Sequence, residues 1–271
     1  MGKVLFIPHG GGPLPLLGDP AHAPLVTALT GLRPMLDGAK AIIVVTAHWE
    51  AEVPSFSSSP APGMLYDYFG FPEETYRLNY PAPGAPELAE KAAQALGADG
   101  FAAVLDPERG FDHGTFVPLM LMRPQADIPV LQMSLLAALD PARHIAMGQA
   151  LGPLLDGGVV LLGSGFSFHN MQALVGRMSP QQKVQGQHLA TEFHDWLDSV
   201  ICDPATGPAD QTRRLTAWTD APGARFCQPR EDHLLPFHVC LGAAQAAGLP
   251  AATRIFAEPL LGFATRGYGW G

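Results

Sequence analysis

Short runs of aliphatic and β-branched residues recur along this chain, separated by stretches patterned as amphipathic helices. That alternation constrains the fold more than any other feature. Val4–Ile7, Ile42–Val45 and Val159–Leu162 are too short for helices and lack polar alternation, so they read as strands buried on both faces of a parallel sheet. Each is followed within a few residues by a histidine: His9, His48 and His169. Residues just beyond the carboxyl ends of such strands gather along one edge, where open α/β sheets bind ligands. Imidazole is the commonest metal-binding side chain, so three on one edge read first as a metal site.

The order of elements predicts a three-layer α/β fold, a single domain over 1–271 with a mostly parallel central sheet. Strands are expected over 3–8, 40–47, 53–57, 101–105, 128–135, 159–163 and 253–258. Helices are expected over 21–36, 86–96, 115–122, 141–155, 180–200 and 233–247. A long loop, 58–84, carries the aromatics Tyr66, Tyr68, Phe69, Phe71, Tyr76 and Tyr80. Loops of that length are uncommon in compact domains unless they serve a function. The segment 203–232 reads as polar and irregular, with one helical turn near 209–216, and 262–271 as a Gly- and aromatic-rich tail.

With 47% hydrophobic and 15% charged residues the chain is a folded protein of 271 residues. Its 16 basic and 25 acidic residues give a net charge of −9, and no Lys/Arg cluster opposes it, which excludes a nucleic-acid footprint. No apolar run reaches the ~18–20 residues needed to span a bilayer. Lys3, the run after it and Ala21-His22-Ala23 imitate a leader, but the run stops at Pro8-His9-Gly10 and reads as a first strand. Cys202, Cys227 and Cys240 have no CxxC spacing and are odd in number, which fits a reducing cytoplasm and buried thiols rather than a disulfide framework.

His9 precedes three glycines, a place where backbone can approach a ligand or simply turn. Neither GxGxxG nor GxxxxGK[ST] is present, so this is no phosphate loop. His48 is followed by Trp49, an imidazole beside an indole that suits a dry wall with a polar tip; a half-buried His closing the strand fits equally. Gly163-Ser164-Gly165 does not meet the G-x-S-x-G order of a serine hydrolase elbow. Asp112-His113 can be a tautomer-fixed acid–base pair or a helix cap beside an exposed His. Asp232-His233 opens the helix 233–247, with no local preference for site or solvent. His22, His144, His188, His194 and His238 fall within helix patterns as ordinary residues.

These clusters, in order along the chain, resemble the class III extradiol ring-cleaving dioxygenases, in particular the branch typified by 4,5-DOPA extradiol dioxygenases. The matching pieces are Pro8-His9-Gly10, Thr46-Ala47-His48-Trp49, Tyr66-Asp67-Tyr68-Phe69-Gly70-Phe71-Pro72, Tyr80-Pro81-Ala82-Pro83-Gly84 and Arg109-Gly110-Phe111-Asp112-His113-Gly114. They continue with Ala126-Asp127-Ile128-Pro129-Val130, Gly163-Ser164-Gly165 through His169-Asn170, and Asp232-His233-Leu234-Leu235-Pro236. Pro8 stands where the family usually has Ser, and Met171 where relatives commonly carry Leu. The resemblance implies a dioxygenase of aromatic catabolism with one divalent metal per chain: Fe(II) for activity, and Zn(II) as an ion the site would also hold. It implies His9, His48 and His233 as ligands, His169 as a fourth ligand or a base, and His113 as an acid that supports the ligands or faces the substrate. Distant members complete two histidines with a carboxylate, for which Asp232 and Glu231 are available. Trp49, Tyr66, Tyr68 and Asp112 are expected at the substrate, with Tyr66, Tyr68 and Phe69 either as a partly mobile wall or, equally, as plain packing of the long loop onto the core. As partners it implies a small catecholic molecule and O2, with a homodimer compatible. A zinc hydrolase on the same histidines and a non-catalytic binding protein are the competing readings.

Overall fold

Eight strands form because their residues pack sideways as well as up and down. In the computed structural model, which describes residues 2–271, they are β1 (Lys3–Pro8), β2 (Ala41–Ala51), β3 (Ser55–Ser57), β4 (Val104–Asp106), β5 (Val130–Leu136), β6 (Val159–Gly165), β7 (Thr253–Phe256) and β8 (Gly267–Trp270). Their order across one sheet is β4-β3-β5-β2-β6-β1-β8-β7. The four central strands β5, β2, β6 and β1 are parallel, while β8 runs antiparallel to β1 and β3 antiparallel to β5. Apart from Lys3 at the entrance of β1, the residues of β1, β5 and β6 are buried. Doubly covered parallel strands require this, and it is why their sequences are near-continuous apolar runs.

Alternate residues of these strands enter two separate cores. Val4, Phe6, Ile43, Val45, Leu131, Met133 and Leu161 face one; Leu5, Ile7, Ile42, Val44, Val130 and Leu162 face the other. The helices are α1 (Ala23–Gly31), α2 (Pro86–Ala98), α3 (His113–Met122), α4 (Pro141–Leu151), α5 (Met171–Leu174), α6 (Pro180–Ile201), α7 (Pro208–Thr216), α8 (Ala224–Cys227) and α9 (Leu235–Ala246). Residues of α2, α4, α6 and α9 fill the first core, and residues of α1 and α3 with part of the 58–84 loop fill the second. The three-layer α/β expectation therefore holds.

Two departures from the sequence reading have local causes. The glycine- and aromatic-rich tail is strand β8, because pairing with β1 and β7 supplies the ladder that its composition does not favour. The irregular segment holds α7 and α8, the first being the helix glimpsed near 209–216. Among the described residues no helix is long and apolar enough to cross a membrane. The three cysteines are free, and burial pushes the thiols of Cys227 and Cys240 up, away from thiolate chemistry.

Strands β2, β6 and β1 are neighbours. Their carboxyl ends therefore open side by side.

Candidate active site

His9 follows the last residue of β1, and its backbone N–H donates to Gly165 O at 3.2 Å on β6. β2 runs beyond its apolar centre: its register against β5 slips between Val45 and Glu50. Bulges of this kind re-aim side chains, and His48 lies within the irregular stretch. The glycines at the end of β6 serve close approach. A Cβ on Gly165 would lie 2.2 Å from His233 O, and one on Gly163 would lie 2.8 Å from Pro236 O. Without side chains there, the entry to α9 presses onto β6, and Phe166 N–H donates to His233 O at 2.9 Å.

The result is a cluster of five imidazoles. The His9 ring centroid lies 4.9 Å from His48, 5.3 Å from His233 and 5.4 Å from His113. His48 and His113 are 3.9 Å apart, and His169 stacks on His233 at 3.4 Å with planes 15° from parallel. All five line one cavity of about 410 Å³, together with Gly10–Gly12 and Tyr68. His22 holds the glycine loop in place: it is buried, its Nε2 accepts from Gly11 N–H at 3.1 Å, and its Nδ1 meets Asp19 Oδ2 at 2.5 Å.

Neighbouring groups decide which ring nitrogens remain free. Pro118 inside α3 has no N–H for the carbonyl of Gly114, one turn earlier. The Ser164 hydroxyl donates to that carbonyl instead. Its oxygen is left to accept from His9 Nδ1 at 3.1 Å, which makes His9 Nε2 the unprotonated nitrogen. Asp67 organises the other side. Its Oδ1 accepts from His113 N–H at 3.0 Å and from His113 Nδ1 at 2.7 Å, and its Oδ2 lies 3.4 Å from His48 Nδ1. A carboxylate beside Nδ1 favours the proton there, so His48 Nε2 also carries a lone pair. The two Nε2 atoms face each other at 3.1 Å.

Two lone pairs at that distance repel unless a cation lies between them. Two imidazole ligands ~2.1 Å from one ion are roughly 3.0–3.4 Å apart at angles near 90–110°, so the separation fits a shared metal. Ligand atoms of His9, His48 and His233 all fall within 4.8 Å of one another. His233 Nδ1 and Asp232 Oδ1 are buried without a hydrogen-bond partner; the 3.0 Å approach of Asp232 Oδ2 to His233 Nδ1 is not aligned for one. His48–Asp67–His113 and His169–Asp232–His233 are similarly compact, but in the first the carboxylate is already engaged by His113. His169 does not join His9 and His48 in one set.

Electrostatics keep His9, His48, His169 and His233 neutral. Burial, reinforced by neighbouring histidines, holds His9 and His233 well below the ordinary imidazole value, and His48 at about 3. Burial also lowers His169. Burial alone would raise the Asp67 carboxyl, but the His113 hydrogen bond and adjacent imidazoles outweigh it and bring it to about 2. Neutral imidazoles beside an ionised carboxylate are ready to ligate.

Several expected substrate contacts lie elsewhere. Asp112 is buried at the start of α3, where its Oδ1 accepts from Thr115 N–H at 3.0 Å and Thr46 Oγ1 at 2.9 Å, and its Oδ2 accepts from Arg109 at 2.8 Å. It is a helix cap and an anchor for Arg109. Trp49 is buried under the Arg109 guanidinium, 4.7 Å from its ring centre. Tyr66 spends its hydroxyl on Leu78 O at 2.6 Å, and Phe69 is 90% exposed. None of the four lines the cavity, whereas Tyr68 does. Glu231 pairs with Arg225 at 2.7 Å and belongs to none of the compact sets of candidate ligands. Sequence reasoning passed over Asp67 as a functional group, although it sits in the aromatic loop flagged by its length. It weighed Ser164 only as a nucleophile.

Comparison with known proteins agrees with this geometry. Residues 20–260 match the family described as the catalytic LigB subunit of aromatic ring-opening dioxygenase. The dioxygenase tasH of Hapsidospora irregularis is 39% identical over 284 residues, covering 100% of this chain and 86% of that protein. A 4,5-DOPA dioxygenase extradiol of Beta vulgaris is 36% identical, covering 89% of this chain and 87% of its own. An uncharacterised Escherichia coli K12 protein of known crystal structure superposes with a TM-score of 0.78 at 28% identity, covering 100% of both chains. With its histidines gathered at the carboxyl edge of a LigB-like sheet, this chain belongs to that family and is an aromatic ring-opening dioxygenase.

Proposed function

We propose that the chain is an extradiol dioxygenase that opens a catechol ring beside its two hydroxyls with O2, at a ferrous ion held by His9, His48 and His233. The observation that carries the metal is the 3.1 Å approach of His9 Nε2 to His48 Nε2, with Ser164 hydrogen-bonded to His9 Nδ1 and the Asp67 carboxylate 3.4 Å from His48 Nδ1. Family membership favours ring opening over zinc-dependent hydrolysis at the same residues.

When bound, the ion would supply a Lewis acid with open positions for both catechol oxygens and dioxygen. The protein supplies the rest. His113 has Nδ1 tied to Asp67, so its Nε2 takes a proton from a substrate hydroxyl and returns it as the ring opens, a role typically worth ~10²–10⁴-fold. His169, stacked on His233 in the cavity wall, serves as a second proton site rather than a ligand. Tyr68 and Phe166 flank the histidines and exclude water from the reacting edge.

Anaerobic reconstitution with ferrous iron, followed by a panel of catechols, tests this reading. It predicts oxygen uptake and a yellow ring-opened product, both lost in His48→Ala. Stoichiometric iron binding without oxygen uptake for any catechol would refute it. Zinc in a purified sample would not identify the working metal, since imidazole sites bind zinc more tightly than ferrous iron.

A further inference from the structure

The cavity continues well past the histidines. At about 410 Å³ it lies in the range that holds drug-sized ligands, so a bare catechol leaves much of it vacant. The remaining wall is apolar: Leu14, Phe71, Phe166, Leu174, Val175 and Leu261. No Asp, Glu, Lys or Arg lines it among the described residues. Two of its other polar groups are already engaged. The Tyr68 hydroxyl donates to Thr75 O at 2.7 Å, and Gly11 N–H is held by His22.

The arginines near the site are committed as well. Arg109 is bound by Asp112 and covers Trp49. Arg230 opens onto an adjoining cavity beyond Met171 and His169. There both of its terminal nitrogens bind Glu50, at 2.5 and 2.7 Å, and Asp232 lies 3.3 Å away. Two carboxylates for one guanidinium leave no net positive charge at Arg230 to receive an anionic substrate. A buried carboxylate or ammonium placed against Leu174 and Leu261 would be desolvated without a partner, which is strongly unfavourable.

We propose that this outer half of the cavity is a specificity pocket for an uncharged hydrocarbon substituent. On that account, which rests on the ring-cleavage reading above, the substrate is an alkyl- or aryl-substituted catechol rather than a catechol amino acid or carboxylate. Leu14, Phe71, Leu174, Val175 and Leu261 are then its specificity-determining residues.

Equilibrium binding of 4-methyl-, 4-propyl- and 4-butylcatechol, L-DOPA and 3,4-dihydroxyphenylpropionate to the full-length protein, metal-free and iron-loaded under nitrogen, tests the proposal. Oxygen uptake is then measured with the same compounds. Affinity is expected to rise roughly fourfold per added methylene, with butylcatechol at least about tenfold tighter than the propionate of similar length. Val175 is 53% exposed at the rim, so Val175→Lys is expected to fold. It should weaken butylcatechol and tighten the propionate. A flat alkyl series, no binding of alkylcatechols, or equal or better binding of the charged catechols would overturn the pocket assignment even if DOPA is cleaved. If the alkyl series binds as expected but none is cleaved with oxygen uptake, the specificity pocket stands and the ring-cleavage reading falls.

Discussion

Gly165→Ala probes how the fold delivers His233 to the cluster. An added Cβ would lie 2.2 Å from the His233 carbonyl oxygen and 3.0 Å from Phe6 Cε2. Against ordinary van der Waals separation the shortfall is roughly 1 Å. β6 is locked between β1 and β2, so the entry to α9 must give way. Overpacking of this kind costs about 1–3 kcal/mol, or roughly 2–12 °C in Tm for a chain of this size. The same displacement carries the imidazole away from His9 and His48, and misplacement by 1 Å can cost ~10²-fold in turnover. Thermal unfolding of the metal-free variant reads the first effect; chelator competition for ferrous iron and oxygen uptake read the second. Gly97→Ala in α2 is the control, because a Cβ there meets nothing within 4 Å and helix propensity favours Ala by up to ~1 kcal/mol. A Gly165→Ala protein with unchanged Tm, iron affinity and turnover would show that close approach at Gly165 does not set the position of His233.

Other consequences follow from the groups around the cluster. Asp67→Asn places an amide where a carboxylate meets His48 Nδ1 and His113, so iron affinity or turnover should fall about 10–100-fold; wild-type values for both would remove Asp67 from the site. Ser164→Ala frees His9 Nδ1 from its acceptor and leaves Gly114 O unpaired, and should weaken iron binding by a similar factor while secondary structure, read by circular dichroism, is retained. Stability should fall in mild acid. Burial lowers His144 to about 4 and His194 to about 3, while the unfolded chain titrates near 6.5. The unfolded state therefore takes up more protons below pH 6.5, and each residue costs ~1.4 kcal/mol per pH unit until its folded value is reached. Urea unfolding of metal-free protein should show lower stability at pH 5 than at pH 7, and that difference should shrink by about 2 kcal/mol in His194→Gln. Equal pH dependence in the two proteins would exclude His194 as a source.

Much of the site was legible because its carriers are local. An apolar run followed by His9 or His48 reveals a strand and the edge it reaches, since burial on both faces dictates composition and chain direction dictates which end holds the histidine. Order along the chain could not assign partners. Asp67 lies 46 residues from His113, inside a loop without periodicity, and becomes its hydrogen-bond acceptor only when that loop folds over the start of α3. Asp112 looked equally able to meet a substrate or cap a helix; the buried Thr46 and Arg109 contacts settle it as a cap, while His113 beside it faces the cavity.

The alternation of apolar runs and amphipathic stretches was enough to specify a layered α/β chain with histidines at its strand ends, because burial is a property of each segment's own residues. Convergence is not. That β6 lies between β1 and β2, that glycines let α9 crowd β6, and that a proline in α3 frees the carbonyl which orients Ser164 and through it His9, depend on packing between segments far apart in sequence. No local pattern encodes such distances; they arise when the sheet and its two helical layers close.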